Sequence, residues 1–378
     1  MPLTHDLLTE DACAVDDLLA VLAEHTDSMD FPLAAAVEQE VLVYDSAALL
    51  AADPVAARAE LVRAFADGPG VVVLRRAYPD TAIVDRTTAV FEEIIAAERA
   101  AGTSGADHFA AAGANDRIWN ALEKLAVRAP EVFVEYYANP VIALVSQAWL
   151  GPGYQMTAQP NVVRPGGKAQ VGHRDYHLGF QPSAVIEQFP PHVHRLSPML
   201  TLQGAVAHSD MPVETGPTLY LPHSQKYLPG YLAMNRPDFQ ELFVERHVQL
   251  PLTTGDAAFF NPAVVHGAGT NTTADRRRIA NLLQVSSAFG RAMESVDRER
   301  VCAAIYPALA AAPFDVDAAI AASAEGYAFP TNIDRDPPVD GLAPPTQADL
   351  VRRALAEGWS DATFRERLAA HSTRRRTT

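Results

Sequence analysis

Apolar residues recur at helical spacing through most of the first 150 positions. Asp11 to Ala23 sets Ala, Val and Leu three and four residues apart, which predicts an amphipathic helix. Asp53 to Ala66 repeats the pattern, with Asp53 suited to the N-cap and Pro54 to the first turn. Gly68-Pro69-Gly70 breaks the run, and a short strand, Val71 to Leu74, is expected behind it. Ile83 to Ala101 and Asp116 to Leu150 read as helix again, up to Gly151-Pro152-Gly153. From about Tyr154 the texture changes. Short β-rich runs, separated by Pro, Gly, Asn and Asp, cover Met156 to Val163, Leu200 to Ala207, Thr218 to Leu221, Val248 to Leu252, Ala257 to Phe260 and Ile279 to Val285. Many short strands with turn signals between them predict a sandwich or barrel rather than βαβ units. Beyond about Arg291 helical spacing returns. Asp334 to Pro345 reads as a surface linker, Thr346-Gln-Ala-Asp349 as the cap of a last helix from Ala348 to His371, and Arg374 to Arg376 as a disordered tail. The expected organisation is a helical extension over residues 1–60, a β-domain with supporting helices over 61–290, and a second helical extension over 291–378.

A chain of 378 residues is long enough to bury a large core without disulfides. Its 48% hydrophobic and 20% charged residues are those of a folded globular protein and exclude a disordered one. The net charge of −16 repels phosphate backbones and anionic lipid, so neither nucleic acid nor a membrane is an expected partner. Two cysteines, Cys13 and Cys302, make no disulfide framework. Met1 to Glu10 lacks a basic n-region, and no apolar run reaches membrane-spanning length. The expectation is a cytoplasmic protein acting on a small molecule, with the terminal helices free to form a lid or a homo-oligomer contact.

The chemistry concentrates in Val171-Gly-His173-Arg-Asp175-Tyr-His177. On a strand, residues two apart share a face, so His173 and Asp175 would stand side by side and Arg174 would point away. A third ligand must come from elsewhere, and His266, in Asn261-Pro-Ala-Val-Val-His266-Gly-Ala-Gly269, offers one. Two His and one carboxylate make the facial triad that holds Fe(II) and leaves positions open. His-x-Asp alone is common by chance, so the weight falls on what surrounds it. Arg277 follows His266 across Gly267, Gly269 and Asn271, which read as a hairpin turn returning an arginine to the same pocket. An open metal beside a guanidinium fork describes a site for a 2-oxo acid. Gln159 and Asn161 share a face of the preceding strand and are expected to line the pocket. His177 shares the parity of His173 and Asp175 and is a substrate-facing candidate. His208 and Asp210, a second His-x-Asp, begin a Pro-containing turn and read as structural. His192 and His194 read as an exposed loop. Trp119 and Lys124 read as a core tryptophan and a solvated lysine on a helix.

This set resembles the phytanoyl-CoA dioxygenase family of Fe(II)/2-oxoglutarate oxygenases. The resemblance rests on His173-Arg-Asp175, on Glu214-Thr-Gly-Pro-Thr-Leu-Tyr-Leu-Pro-His-Ser224, on Gly255-Asp256 and on His266-Gly-Ala-Gly with Arg277, and covers about residues 60–290. It implies a mainly β core, a double-stranded β-helix of the jelly-roll kind, flanked by helices. It implies His173, Asp175 and His266 as iron ligands and catalytic centre, Arg277 as the 2-oxoglutarate anchor, and Fe(II), 2-oxoglutarate and O2 as cofactors and cosubstrates. In the second motif His223 stands where the family usually has Gly, and Gln225 where it usually has His. Ala268 stands where some members have a Ser that holds the cosubstrate; Thr218, Thr157 or Gln159 is expected to substitute. Related halogenases carry a small residue at the Asp175 position, so the carboxylate here implies hydroxylation of a small or medium-sized metabolite with release of succinate and CO2. Desaturation, ring closure and epimerisation stay open. The same His/Asp/His set on Zn(II) would suit a hydrolase, at the cost of leaving Arg277 without a role, and a non-catalytic jelly-roll binding protein is the third reading.

Overall fold

A computed structural model describes residues 7–102 and 115–377; most of the Met1 to Glu10 stretch read above lies outside them. Eleven strands are found among the described residues: β1 Ala36–Glu38, β2 Val41–Asp45, β3 Val71–Arg75, β4 Asn115–Arg117, β5 Gln155–Val163, β6 Thr201–Ala207, β7 Thr218–Leu221, β8 Val248–Gln249, β9 Ala257–Phe260, β10 Val265–Ala268 and β11 Arg278–Ser286. They form an eight-stranded sheet in the order β1-β2-β3-β9-β6-β11-β5-β4 and a three-stranded sheet in the order β10-β7-β8. All pairs are antiparallel except β2 with β3. The protein is thus mixed α+β, with a large sheet and a small one.

The large sheet is buried on both faces, and alternation sorts its side chains. Leu42, Tyr44, Val72, Leu74, Ala257, Phe259, Leu283 and Val285 point to a layer of helices and join its core. Their neighbours Val41, Val43, Val71, Val73, Ala258, Phe260 and Ala280 point the other way and pack with Tyr220, Leu250 and Leu252 from the small-sheet side. The two sheets therefore face one another, and the space between them holds the cavity described below. Gly204 on β6 sits opposite Phe259 on β9, whose ring fills the room a side chain at 204 would need.

Local signals explain the helices. Asp53 accepts from the amides of Val55 and Ala56 and starts Pro54–Ala66, as expected. Thr346 and Asp349 form a reciprocal capping box on Gln347–Ala356. Several expectations need correction. Residues 1–60 are not only helical, because β1 and β2 join the large sheet beside β3. The stretch from Asp116 to Leu150 opens with β4 and then breaks into three helices, Ala121–Arg128, Pro130–Tyr137 and Pro140–Leu150. Pro130 and Pro140, at first-turn positions, make the breaks. The last helix is two, Gln347–Ala356 and Asp361–Arg375, split at Gly358 in the left-handed region. The basic tail is held: Arg374 pairs with Asp336 and Arg376 with Glu299.

Candidate metal centre and its cavity

His266 lies on β10, whose one neighbour in the small sheet is β7. Its other edge takes the segment that carries His173. The His173 amide donates to the His266 carbonyl at 2.9 Å, and the His266 amide returns the bond at 3.0 Å. One step further, the Gln170 amide donates to the Ala268 carbonyl. This is a single bridge and not the full strand expected over residues 171–177. Tyr176 and His177 take positive φ angles of 65° and 44°, and the chain turns into a 3-10 helix, His177–Phe180.

The bridge brings three ligand-bearing side chains together. One donor atom each from His173, Asp175 and His266 lies within 4.8 Å of the others. His173 Nε2 is 3.6 Å from Asp175 Oδ1, and His266 Nε2 is 3.4 Å from Asp175 Oδ2. Adjacent donors about 2.1 Å from one ion lie about 3 Å apart, so the set closes on a metal with sub-ångström shifts. The tautomers suit this. His173 Nδ1 sits 2.9 Å from the Val171 carbonyl and His266 Nδ1 3.0 Å from that of Val264. Those carbonyls accept only if Nδ1 carries the proton, which leaves both Nε2 lone pairs for an ion. Burial alone would raise the Asp175 carboxyl. Whenever the rings carry a proton on Nε2, the His266 bond and the charges of both histidines, together with the Gln203 amide 2.5 Å away, outweigh it and hold the carboxyl well below the ordinary carboxylate range. His173 is pushed down, by burial first and His266 second. Gln203, on β6, orients a ligand, and the sequence offered no signal for it beyond its inward parity.

The triad opens into a cavity of 480 Å³ between the two sheets. Arg278, Ala280, Leu282 and Gln284, alternate residues of β11, line it, with Asn161 from β5 and Thr218 and Tyr220 from β7. Arg277 does not. It points to the helical side, half exposed and paired with Glu92 at 2.9 Å. The arginine of the cavity is Arg278, 6% exposed, near the carbonyls of Thr215 and Gly269 and without a carboxylate partner among the described residues. Burial lowers its pKa to about 10, so it stays cationic at neutral pH. The expected register is off by one because the turn is closed by side chains: Asn271 Nδ2 donates to the carbonyls of Val163 and Arg276, which spends Arg276 in the turn.

The other candidates are distributed as follows. Thr218 lines the cavity directly across the ladder from Ala268. Thr157 does not line it; its hydroxyl donates to the Gln284 carbonyl. Gln159 is buried behind the wall, accepting from Gln284 Nε2 at 3.0 Å. His177 turns away from the cavity lining. Trp119 is not on a helix but in the turn after β4, and it lines the cavity with Arg117. Lys124 is part-buried against Glu98. His194 is not exposed but buried on a helix, Pro191–Met199. His208 faces Tyr136 and Thr88, and Asp210 accepts from Thr254. His223 adopts a left-handed φ of 68° where the family usually has Gly, held by Thr26 and Lys226. Asp256 gathers Arg75, the Arg76 amide and Thr253, fixing the turn before β9.

A mononuclear metal site with one carboxylate, two imidazoles and a buried guanidinium in a shared cavity defines an oxygenase-type centre dependent on iron and a 2-oxo acid. The family description for phytanoyl-CoA dioxygenase (PhyH) matches residues 66–279, more than half of the chain, and the protein belongs to that family. Its cofactors are iron and 2-oxoglutarate. No protein with a curated description matches the sequence. Among solved structures the chain is similar to SnoN, a non-heme alpha ketoglutarate dependent epimerase from nogalamycin biosynthesis, at 20% identity over 62% of this chain and 84% of that one, with a TM-score of 0.41. It is similar to SnoK, the carbocyclase from nogalamycin biosynthesis, at 22% identity over 61% and 83%, with a TM-score of 0.44. It is also similar to HygX from Streptomyces hygroscopicus, solved with nickel and 2-oxoglutarate, at 14% identity over 63% and 90%, with a TM-score of 0.43. No helix of the described residues is long and apolar enough to cross a membrane.

Proposed function

We propose that the protein is an Fe(II)/2-oxoglutarate oxygenase that hydroxylates a small or medium-sized metabolite, and that its facing sheets are a double-stranded β-helix. The observation that carries this reading is Arg278. A buried cation with no carboxylate partner among the described residues calls for an anionic ligand, and it shares its cavity with a triad whose donor atoms converge. A metal-dependent hydrolase leaves that cation unexplained. Loaded with iron, the site would use O2 to couple oxidative decarboxylation of 2-oxoglutarate to hydroxylation of a substrate C–H bond, one oxygen atom going to succinate and the other to the substrate, with release of CO2.

The residues divide the work. His173, Asp175 and His266 hold the iron, with the backbone carbonyls of Val171 and Val264 fixing the ring orientations and Gln203 fixing the carboxylate. Arg278 pairs with the far carboxylate of the keto acid. Thr218, across from Ala268, supplies the hydroxyl that other family members take from serine. The sheets bury Arg278 and His266, and removal from bulk water strengthens their contacts. Asp175 occupies the position that a halogenase leaves open, which favours hydroxylation over halogen transfer.

The test is anaerobic titration of 2-oxoglutarate into the Fe(II)-loaded protein, followed by its weak visible charge-transfer band. Arg278→Ala should weaken binding about ten- to a hundredfold, the equivalent of roughly 1.5–3 kcal/mol for a buried charge-assisted pair. Arg278→Lys should still bind poorly because the fork is lost, and Arg277→Ala should bind normally because exposed pairs contribute about 0–1 kcal/mol. A large loss in Arg277→Ala with none in Arg278→Ala would reverse the assignment.

A further inference from the structure

Two guanidinium groups line the cavity, and Arg278 accounts for one. The other is Arg117, at the end of the edge strand β4. It lies opposite Asn161 in register, and Asn161 lies opposite Ala280. Residues directly opposite in a ladder share a face, so Arg117, Asn161 and Ala280 form one row of the cavity wall, and all three line it. The Arg117 guanidinium lies 5.4 Å from the centre of the Trp119 ring. No ion pair is found for it among the described residues. Glu294, whose charge it feels, instead accepts from the Asn120 amide at 2.5 Å. Arg117 Nε is buried with no hydrogen-bond partner among the described residues.

Asn161 supplies an independent observation. It is 8% exposed, and its Oδ1 has no hydrogen-bond partner among the described residues. Buried polar atoms are ordinarily paired, and an unpaired one signals a ligand or strain. Here the two residues that carry the unpaired atoms sit in one row, and both line one cavity. Arg117 needs an anion that can be gripped by a planar fork. Asn161 Oδ1 needs a hydroxyl or amine. The nearby wall is apolar, with Trp119, Phe180 and Met293. The cavity, at 480 Å³, is toward the small end of the roughly 300–1,000 Å³ typical of ligand sites.

We propose that the substrate is a small carboxylate-bearing metabolite, its acid held by Arg117 over the face of Trp119 and a neighbouring hydroxyl or amine bonded to Asn161. This rests on the reading above, in which Arg278 is taken by the cosubstrate and Arg117 is left for the substrate. Arg117 is then a specificity-determining residue. It should not contribute to iron or 2-oxoglutarate binding.

The experiment screens the Fe(II)-loaded protein with 2-oxoglutarate, O2 and a panel of small hydroxy and amino carboxylic acids, each paired with its primary amide, and scores succinate release. At least one acid should stimulate release while its amide does not. For that acid, Arg117→Ala should raise KM about ten- to a hundredfold, and Arg117→Lys should raise it less. Both variants should keep the wild-type anaerobic charge-transfer titration with 2-oxoglutarate, which also shows that they fold. The acid should perturb the tryptophan fluorescence of the wild type without O2, and Trp119→Phe should remove that signal. Stimulation by amides as strong as by acids, stimulation by neutral compounds alone, or no stimulation by any acid overturns the proposal. So does a weakened 2-oxoglutarate titration in Arg117→Ala, which would give Arg117 to the cosubstrate. Absence of any charge-transfer band in the wild type would instead count against the iron/2-oxoglutarate reading itself.

Discussion

His208 is buried between Thr88 and Tyr136, with Nδ1 2.8 Å from Thr88 Oγ1 and Nε2 2.8 Å from the Tyr136 hydroxyl. Thr88 already gives its proton to the Val84 carbonyl, so Nδ1–H donates to Thr88 and Nε2 accepts from Tyr136. Only a neutral ring satisfies both, and burial lowers its pKa to about 3. An unfolded histidine titrates near 6.5, so below that pH the unfolded chain takes a proton the native one refuses. Stability from this group is complete above about pH 6.5 and is lost as pH falls toward 3, by about 1.4 kcal/mol per pH unit. His208→Gln removes the titration. Denaturant melts at pH 6 and pH 4 should show the wild type losing more stability than the variant, and parallel losses would refute the neutral-ring assignment. Legibility varied at this scale. His173 and Asp175 stood out because two ligand types two apart suit one metal, and the bridge to His266 brings in the third. The sequence pattern points to Arg277 rather than Arg278 because the length of the turn cannot be counted from composition. The strand itself held the signal: bulky Ile279, Leu283 and Val285 share the helix-facing parity, which leaves position 278 inward. Arg117 and Trp119 gave no signal, since a three-residue edge strand has no period to detect.

Strands with continuous apolar runs were readable as strands, and their two-sided burial explains why: a sheet with helices on one face and a second sheet on the other wants apolar side chains at both parities. β1 and β2 are not legible in the sequence, because Val41 to Tyr44 is too short to be told from a buried helical turn. One close approach between elements is Gly204 on β6 against Phe259 on β9. A Cβ at 204 would lie 2.4 Å from the Phe259 ring, which is itself fully buried. The ring cannot retreat, because the helical layer packs on it. Gly204→Ala should therefore destabilise the protein by about 1–3 kcal/mol, the usual penalty of overpacking. The readout is a shift of the urea midpoint at unchanged m-value. An unshifted midpoint would mean that the two strands separate more easily than their ladder suggests.

Over the whole molecule, the C-terminal helices share the main core. Ile305, Tyr306, Ile320, Val351 and Phe364 belong to the same cluster as Phe133, Tyr136 and Met156, and the Tyr306 and Phe364 rings stack at 4.0 Å. Phe364 is fully buried. Phe364→Ala should cost about 3–5 kcal/mol, and calorimetry should still show one transition, because no separate C-terminal core exists to melt first. Two transitions would make residues 291–378 an independent unit. The reciprocal backbone bonds between His173 and His266 have a further consequence. They tie together two distant points of the chain, and the segment they close carries β6, β7, β8 and β9. An ion seated on His173, Asp175 and His266 is a clasp on it, absent from the open chain. Free metal in the surroundings thereby enters the folding equilibrium: at a hundredfold excess over its dissociation constant it adds about 2.7 kcal/mol.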